Sequence, residues 1–254
     1  MAKWIIAVTG KGGTGKTALI TLMTKVLMQE KEKLLIVDAD PAMGLTNVLG
    51  ISPDRTLEDL RLEIIKVGGR GIEEEKEEMV LSLDYKVMEL LIENAGFTVL
   101  VMGQPRTSGC FCPANTLLRD SLKTLIKSFN IILIDCEAGL EQINRKVVES
   151  INILFIISDP TMRGIQTASA IKEMGQKFTK ASKIGLILNK TPDQSITDSI
   201  VSQTDLELLG TIPYDPQIAQ FDLEGRSLLE LPASAPSVLA VTRILKHIHL
   251  LHPK

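Results

Sequence analysis

The chain has 254 residues, a formal net charge of −3, and 44% hydrophobic against 23% charged residues, the balance of a globular protein with a sizeable core. That charge gives no whole-protein attraction for nucleic acid or an anionic membrane, and no run approaches the roughly 18 apolar residues of a spanning helix. The three cysteines are too few for a disulfide framework in a chain this long, and Met1-Ala2-Lys3 is too short to open a secretory signal, so a reducing cytoplasmic setting is expected.

Apolar, β-prone runs recur at 4–9, 34–38, 97–103, 131–135, 153–157, 184–188 and 208–212. Most are continuous rather than alternating, as in strands covered on both faces. Helical patterns lie between them, including 15–29, 56–67, 113–128, 140–150 and 161–178. Strand and helix in alternation imply parallel pairing with right-handed crossovers. The expected fold is one α/β domain over residues 1–254, a doubly wound, mostly parallel sheet with helices on both faces; no linker or internal repeat divides it.

The first run feeds Gly10-Lys11-Gly12-Gly13-Thr14-Gly15-Lys16-Thr17, with Ala18 opening the apolar helical stretch behind it. This fills G-x-x-x-x-G-K-[ST], the phosphate-binding loop of a P-loop NTPase, in the strand–loop–helix context the motif requires. Its glycines let the backbone aim N–H groups at phosphate oxygens beside the positive end of a helix. Lys16 is expected to reach the β- and γ-phosphates, and the Thr17 hydroxyl to sit on Mg²⁺. Lys11 is an extra cation in a loop already supplied with one.

Two further strands end in acids beside that loop. Leu34–Val37 leads into Asp38-Ala39-Asp40-Pro41, and Ile131–Ile134 into Asp135; open α/β sheets place their chemistry at such strand ends. Asp135 suits an outer-shell Mg²⁺ ligand, and Gly139 completes Asp-x-x-x-Gly, whose N–H is placed to sense a γ-phosphate. Asn189-Lys190-Thr191-Pro192 only half matches a guanine-recognition motif, which favours ATP and ADP over GTP. Glu73–Glu78 is a charge run that reads as a solvated helix or loop. In 235–251, Val238, Val241, Leu245 and Ile248, widened by Ile244 and Leu251, keep helical spacing with only Arg243 and Lys246 alongside. Packing against the sheet is expected there rather than a membrane-surface helix.

Cys110-Phe111-Cys112 precedes Pro113, a residue suited to a first helical position. A thiol at a helix N-terminus gains thiolate character. A closed tetrahedral metal site needs four ligands; one chain offers two, and a two-fold dimer would offer four. His247 and His249 are two apart and do not share a helix face, and they and His252 read as structural or solvent-exposed.

The form Lys11-Gly12-Gly13-x-Gly15-Lys16-Thr17 resembles the deviant Walker A loop of the dimeric ATPases that include nitrogenase iron protein, MinD, ParA and CooC. Within that superfamily, Thr107–Cys112, Asp135–Glu141, Asp159-Pro160, Asn189-Lys190 and Ile212-Pro213-Tyr214 resemble the nickel-insertion ATPases of the CooC/AcsF type. The resemblance implies a homodimer in which Lys11 crosses to the partner's nucleotide, with Asp40 orienting or deprotonating the attacking water and Asp38 near the Mg²⁺ hydration shell. It implies adenine contacts from Asn189 and Lys190 and from the loop Pro213-Tyr214-Asp215. It further implies Ni²⁺ or Zn²⁺ held by Cys110 and Cys112 between protomers, and a client nickel enzyme, either carbon monoxide dehydrogenase or acetyl-CoA synthase. Two other readings stay open: an electron donor of the iron-protein type, which would draw on Cys136, and a partitioning ATPase.

Overall fold

A computed structural model describes residues 4–106, 112–136, 151–192 and 194–251. Among them, eight strands form one sheet: β1 (Trp4–Gly10), β2 (Leu34–Asp38), β3 (Ile92–Asn94), β4 (Phe97–Val101), β5 (Ile131–Asp135), β6 (Ile153–Ser158), β7 (Lys183–Thr191) and β8 (Glu207–Pro213). Their order is β3-β4-β2-β5-β1-β6-β7-β8, and every pairing is parallel except that of the short edge strand β3 with β4.

The described helices are α1 (Lys16–Leu27), α2 (Gly44–Leu49), α3 (Leu57–Arg70), α4 (Glu73–Met88), α5 (Cys112–Ile126), α6 (Met162–Phe178), α7 (Gln194–Val201), α8 (Pro216–Leu223) and α9 (Pro236–His247). The continuous apolar runs split by strand alternation into two cores. Ile5, Ala7, Leu35, Val37, Ile132 and Ile134 face α3 to α7. Ile6, Val8, Leu34, Ile36 and Leu133 face α1, α2, α8 and α9. This is the expected doubly wound sheet.

Periodicity passed over β3, α2, α7 and α8, which are short and lack a full period of apolar residues. The acidic run Glu73–Glu78 opens α4, whose buried face is Met79, Leu83 and Val87. The predicted helix at 140–150 lies outside the described residues. As expected, the C-terminal stripe packs inward: Val238, Val241, Ile244, Leu245, Ile248 and Leu251 are all buried in the core shared with α1. Among the described residues no helix is long and apolar enough to cross a membrane.

Candidate functional site: a phosphate loop beside two buried acids

Three adjacent strand ends build the site. β1 lies between β5 and β6, and β5 between β1 and β2, with Asp135 in register with both Val8 and Asp38. The loop therefore leaves β1 beside two acids that sequence separates by about a hundred residues. Gly15 is the N-cap of α1, in left-handed backbone (φ 97°), and no side chain caps the helix. Its first N–H groups are thus left to a ligand. A Cβ at Gly15 would stand 2.4 Å from Asn189 Nδ2, so glycine is required for space as well as for conformation.

The loop is braced by its own chain and by β7. The Thr14 hydroxyl and N–H donate to the Lys11 carbonyl at 2.8 and 3.3 Å. Asn189 Nδ2 donates to the Thr14 carbonyl at 2.8 Å, and Lys190 Nζ reaches the Gly13 carbonyl at 3.5 Å. Asn189 Oδ1 meanwhile accepts the Lys190 N–H at 2.9 Å. Lys16 is buried, whereas Lys11 is exposed.

Asp38 and Asp135 are both 0% exposed. The Thr17 hydroxyl donates to Asp135 Oδ2 at 2.9 Å, and Asp135 Oδ1 is, among the described residues, the one buried side-chain polar atom with no partner. Burial pushes the Asp135 carboxyl up to about 7; the Thr17 hydrogen bond opposes this, the Asp38 charge adds to it, and Lys16 offsets part. Asp38 is pushed up to about 6, again by burial first, against N–H donors from Thr46 and Asp40 and with the Asp40 charge adding. Those donors stand at 3.2 and 3.3 Å. Two buried acids on neighbouring strands, one with an orphaned oxygen, are costly without a counter-charge. Hard oxygen donors of this kind fit Mg²⁺: Thr17 and Asp135 would hold it, with Asp38 behind. Asp40 is half-buried at the same crevice, and its Oδ1 accepts the Ala42 N–H at 2.9 Å, which fixes the turn after β2.

Beside the loop is a cavity of about 500 Å³ lined by Gly15, Ala18, Asn189, Lys190, Pro213, Tyr214 and Asp215. It gathers the residues read as the base-binding end from three separate stretches of sequence. Tyr214 is well exposed at its mouth. Asp215 contributes as scaffold: its Oδ1 caps α8 through the Gln217 N–H, and its Oδ2 takes the Ser237 N–H and hydroxyl at 3.1 and 2.6 Å, holding the start of α9. Sequence reasoning missed Asn47 and Val48 of α2 and Ile218, Asp222 and Arg226 on the opposite wall. No motif marks them. Arg226 lies 4.0 Å from the Phe221 ring centroid, a cation–π contact that only the folded turn creates.

The metal reading falls partly outside the description. Cys110 and Gly139 lie outside the described residues, as does His252. Cys112 is the first residue of α5, as expected of a thiol at a helix start, but its side chain is not among those described. His247 and His249 are exposed. Cys136 is buried in the core, and its thiol is pushed well up by burial and then by the Asp135 charge. Among the described residues no group of three or more His, Cys, Asp or Glu is arranged to hold a metal.

The arm that leads from β4 toward α5 is tied to α3. Glu58 and Arg61, 3% and 5% exposed, form a two-bond ion pair with both distances 2.7 Å. Glu58 Oε1 also accepts the Arg106 N–H at 3.1 Å, while the Arg106 guanidinium pairs with Asp59 at 2.9 Å. Thr56 and Asp59 close a capping box at the start of α3.

Residues 2–188 match the AAA domain family. The chain is 37% identical to an ATP-binding protein of Methanocaldococcus jannaschii, the match covering 90% of this chain and 91% of that one. It is 32% identical to the carbon monoxide dehydrogenase accessory protein CooC of Rhodospirillum rubrum, covering 89% of each. In three dimensions it is similar to the cell division ATPase MinD of Pyrococcus furiosus, with a TM-score of 0.69 and 25% identity over 99% of this chain and 100% of that one.

Proposed function

The chain belongs to the AAA domain family and, within it, to the CooC-type ATPases of the MinD/ParA superfamily, and from that premise we propose that it is an ATP-dependent accessory protein for nickel-enzyme maturation. In this reading a homodimer binds Ni²⁺, or Zn²⁺, through Cys110 and Cys112 of both protomers. ATP binding and hydrolysis then couple dimer state to delivery of nickel to carbon monoxide dehydrogenase or acetyl-CoA synthase. Neither nucleic acid nor membrane takes part.

One observation carries the coupling. The Met102 N–H donates to the Asp38 carbonyl at 2.9 Å, and the Ala39 N–H to the Asp135 carbonyl at 3.0 Å. The strand that runs on toward the cysteines is therefore one hydrogen bond from the nucleotide acids. In this reading that backbone ladder passes a change at Asp38 or Asp135 on to β4, and a helix opening with Cys112 favours the thiolate form that binds soft metals.

The roles follow from the site. The loop N–H groups and Lys16 hold the phosphates, and Lys11, exposed, serves the partner's nucleotide, where a cation supplied in trans is worth about 10³-fold or more in rate. Thr17 and Asp135, with Asp38 behind them, would hold Mg²⁺, which would neutralise developing phosphate charge. Asp40 orients the water that attacks the γ-phosphorus and accepts its proton as the bond to the ADP oxygen breaks. Gly139 reports the γ-phosphate. Asn189, Lys190, Pro213 and Tyr214 enclose the base over Asp215.

The test is a Ni²⁺ titration of reduced protein, with mass measured in parallel, with and without a non-hydrolysable ATP analogue. Saturation at one metal per two chains, lost in Cys112→Ala, is expected. A dimer with no bridging metal would favour a partitioning-type switch, and a brown iron–sulfur dimer after anaerobic reconstitution an electron donor.

A further inference from the structure

We propose that the outer face of α4, together with the cavity at its C-terminal end, is a docking surface for a protein segment that forms a basic amphipathic helix. The argument begins with the helix's exposed side. Opposite the buried Met79, Leu83 and Val87 stand Leu81, Tyr85 and Met88, which are 87%, 66% and 59% exposed. At about 100° per residue they fall within about 60° of one another on the helix. A solvated helix face has no need of three large apolar side chains in line.

The same stripe continues toward the N-terminus as Glu74, Glu77 and Glu78, which with Leu81 and Ser82 line an open depression. Their neighbours Glu73 and Glu75 are paired with Lys76 and Arg70; among the described residues Glu74, Glu77 and Glu78 have no ion pair. The helix dipole accounts for acid in the first turn but not for Glu77 and Glu78 in the second. Toward the C-terminus, Asp84 and Met88 carry the stripe into a cavity of about 650 Å³ with Met28, Leu91, Phe97 and Phe129 in its wall. The face thus offers apolar anchors, a pocket beside them and uncompensated negative charge along one line.

That combination selects the occupant. An anionic membrane and nucleic acid are both repelled by the glutamates. A second copy of this surface brings the same unpaired glutamates, and its cations, Lys31 and Lys33, lie at the cavity end rather than along the helix face. A cationic helix with an apolar face satisfies all three features, in the helix-in-groove mode. The cavity wall includes Leu34 and Phe97, the first residues of β2 and β4, at the other end of the strands from Asp38. Docking here leaves the nucleotide crevice free, so the inference holds whatever metal the cysteines carry.

The test uses an 18-residue Lys/Leu amphipathic peptide as probe, read by fluorescence anisotropy against the full chain. Saturable 1:1 binding is expected, weakened about tenfold or more by Leu81→Ser with Tyr85→Ser and Met88→Ser, and separately by Glu74→Gln with Glu77→Gln and Glu78→Gln. ATP binding and far-UV circular dichroism should stay unchanged in both triple variants, which shows that they fold. Equal binding by the serine variant would reduce the effect to general acid–base attraction and overturn the proposal. So would no binding by the parent chain, a parent dimer that the serine variant dissolves, or serine-sensitive binding to phosphatidylserine vesicles.

Discussion

Asp38 and Asp135 on one side of the β2–α3 connection, and Glu58 and Arg61 on the other, are about equally buried, yet they treat their charge in opposite ways. Glu58 and Arg61 neutralise each other through two short bonds, and Glu58 spends its remaining capacity on the Arg106 N–H. Asp38 and Asp135 face one another across paired strands with raised carboxyl pKa values, and one oxygen has no partner. Burial alone therefore does not mark a functional acid. A buried charge matched within the chain belongs to the scaffold, and a buried charge left unmatched is the place kept for a cationic ligand.

The largest effect should come from unmatching the matched pair. Arg61→Met removes the guanidinium that faces the buried Glu58, and urea unfolding should show a loss of about 3–5 kcal/mol, with most of it recovered when Glu58→Leu is added. A loss no greater than that of an exposed pair would erase the distinction between the two sites. Asp135→Asn probes the other side. Mg²⁺-dependent ATP turnover should drop about 10²-fold or more, while stability measured without Mg²⁺ should hold or rise, because an unpaired buried charge has been removed. A destabilised Asp135→Asn protein would place that acid with the scaffold instead.

The pH dependence sharpens the contrast. Folded-state values of about 6 for Asp38 and about 7 for Asp135 lie above the ordinary 3.8. The folded chain then retains protons that the unfolded chain releases, so stability should fall as pH rises from about 4 to 7 and level off above that. A decline of several kcal/mol in metal-free protein, about 1.4 for each pKa unit, reversed by Mg²⁺ and nucleotide, is the outcome to check by denaturation at fixed pH steps. The smallest effect concerns Asp215, a fourth buried acid, whose oxygens have hydrogen-bond partners within the chain. Ser237→Ala removes one of its donors and should cost about 1–2 kcal/mol of stability, with ATP affinity, followed by calorimetry, changed less than about tenfold.

Much of the site was legible because its parts are short and contiguous. A strand, a glycine loop and a helix in sequence fix where phosphate goes, and acids ending the second and fifth strands follow from the same rule for open sheets. The residues proposed to bind the base could be named but not joined: Ala18, Asn189 and Tyr214 share a cavity only because β7 and β8 bring their ends beside α1. Cys136 shows the limit from the other side. In the chain it adjoins an acid of the site, yet one residue further along the strand direction turns its side chain into the opposite core.

What the sequence determined by itself was the doubly wound sheet and the nucleotide loop, since apolar periodicity and backbone conformation act over a few residues at a time. Tertiary structure decided which buried charges are paired, which wall completes the cavity, and which side of α4 faces solvent. Those are properties of pairs far apart in the chain, as with Glu58 and Arg106 or Asp215 and Ser237. Such pairs come within bonding distance only after the sheet has ordered its strands, and the free energy of a charge depends on who its neighbours then are.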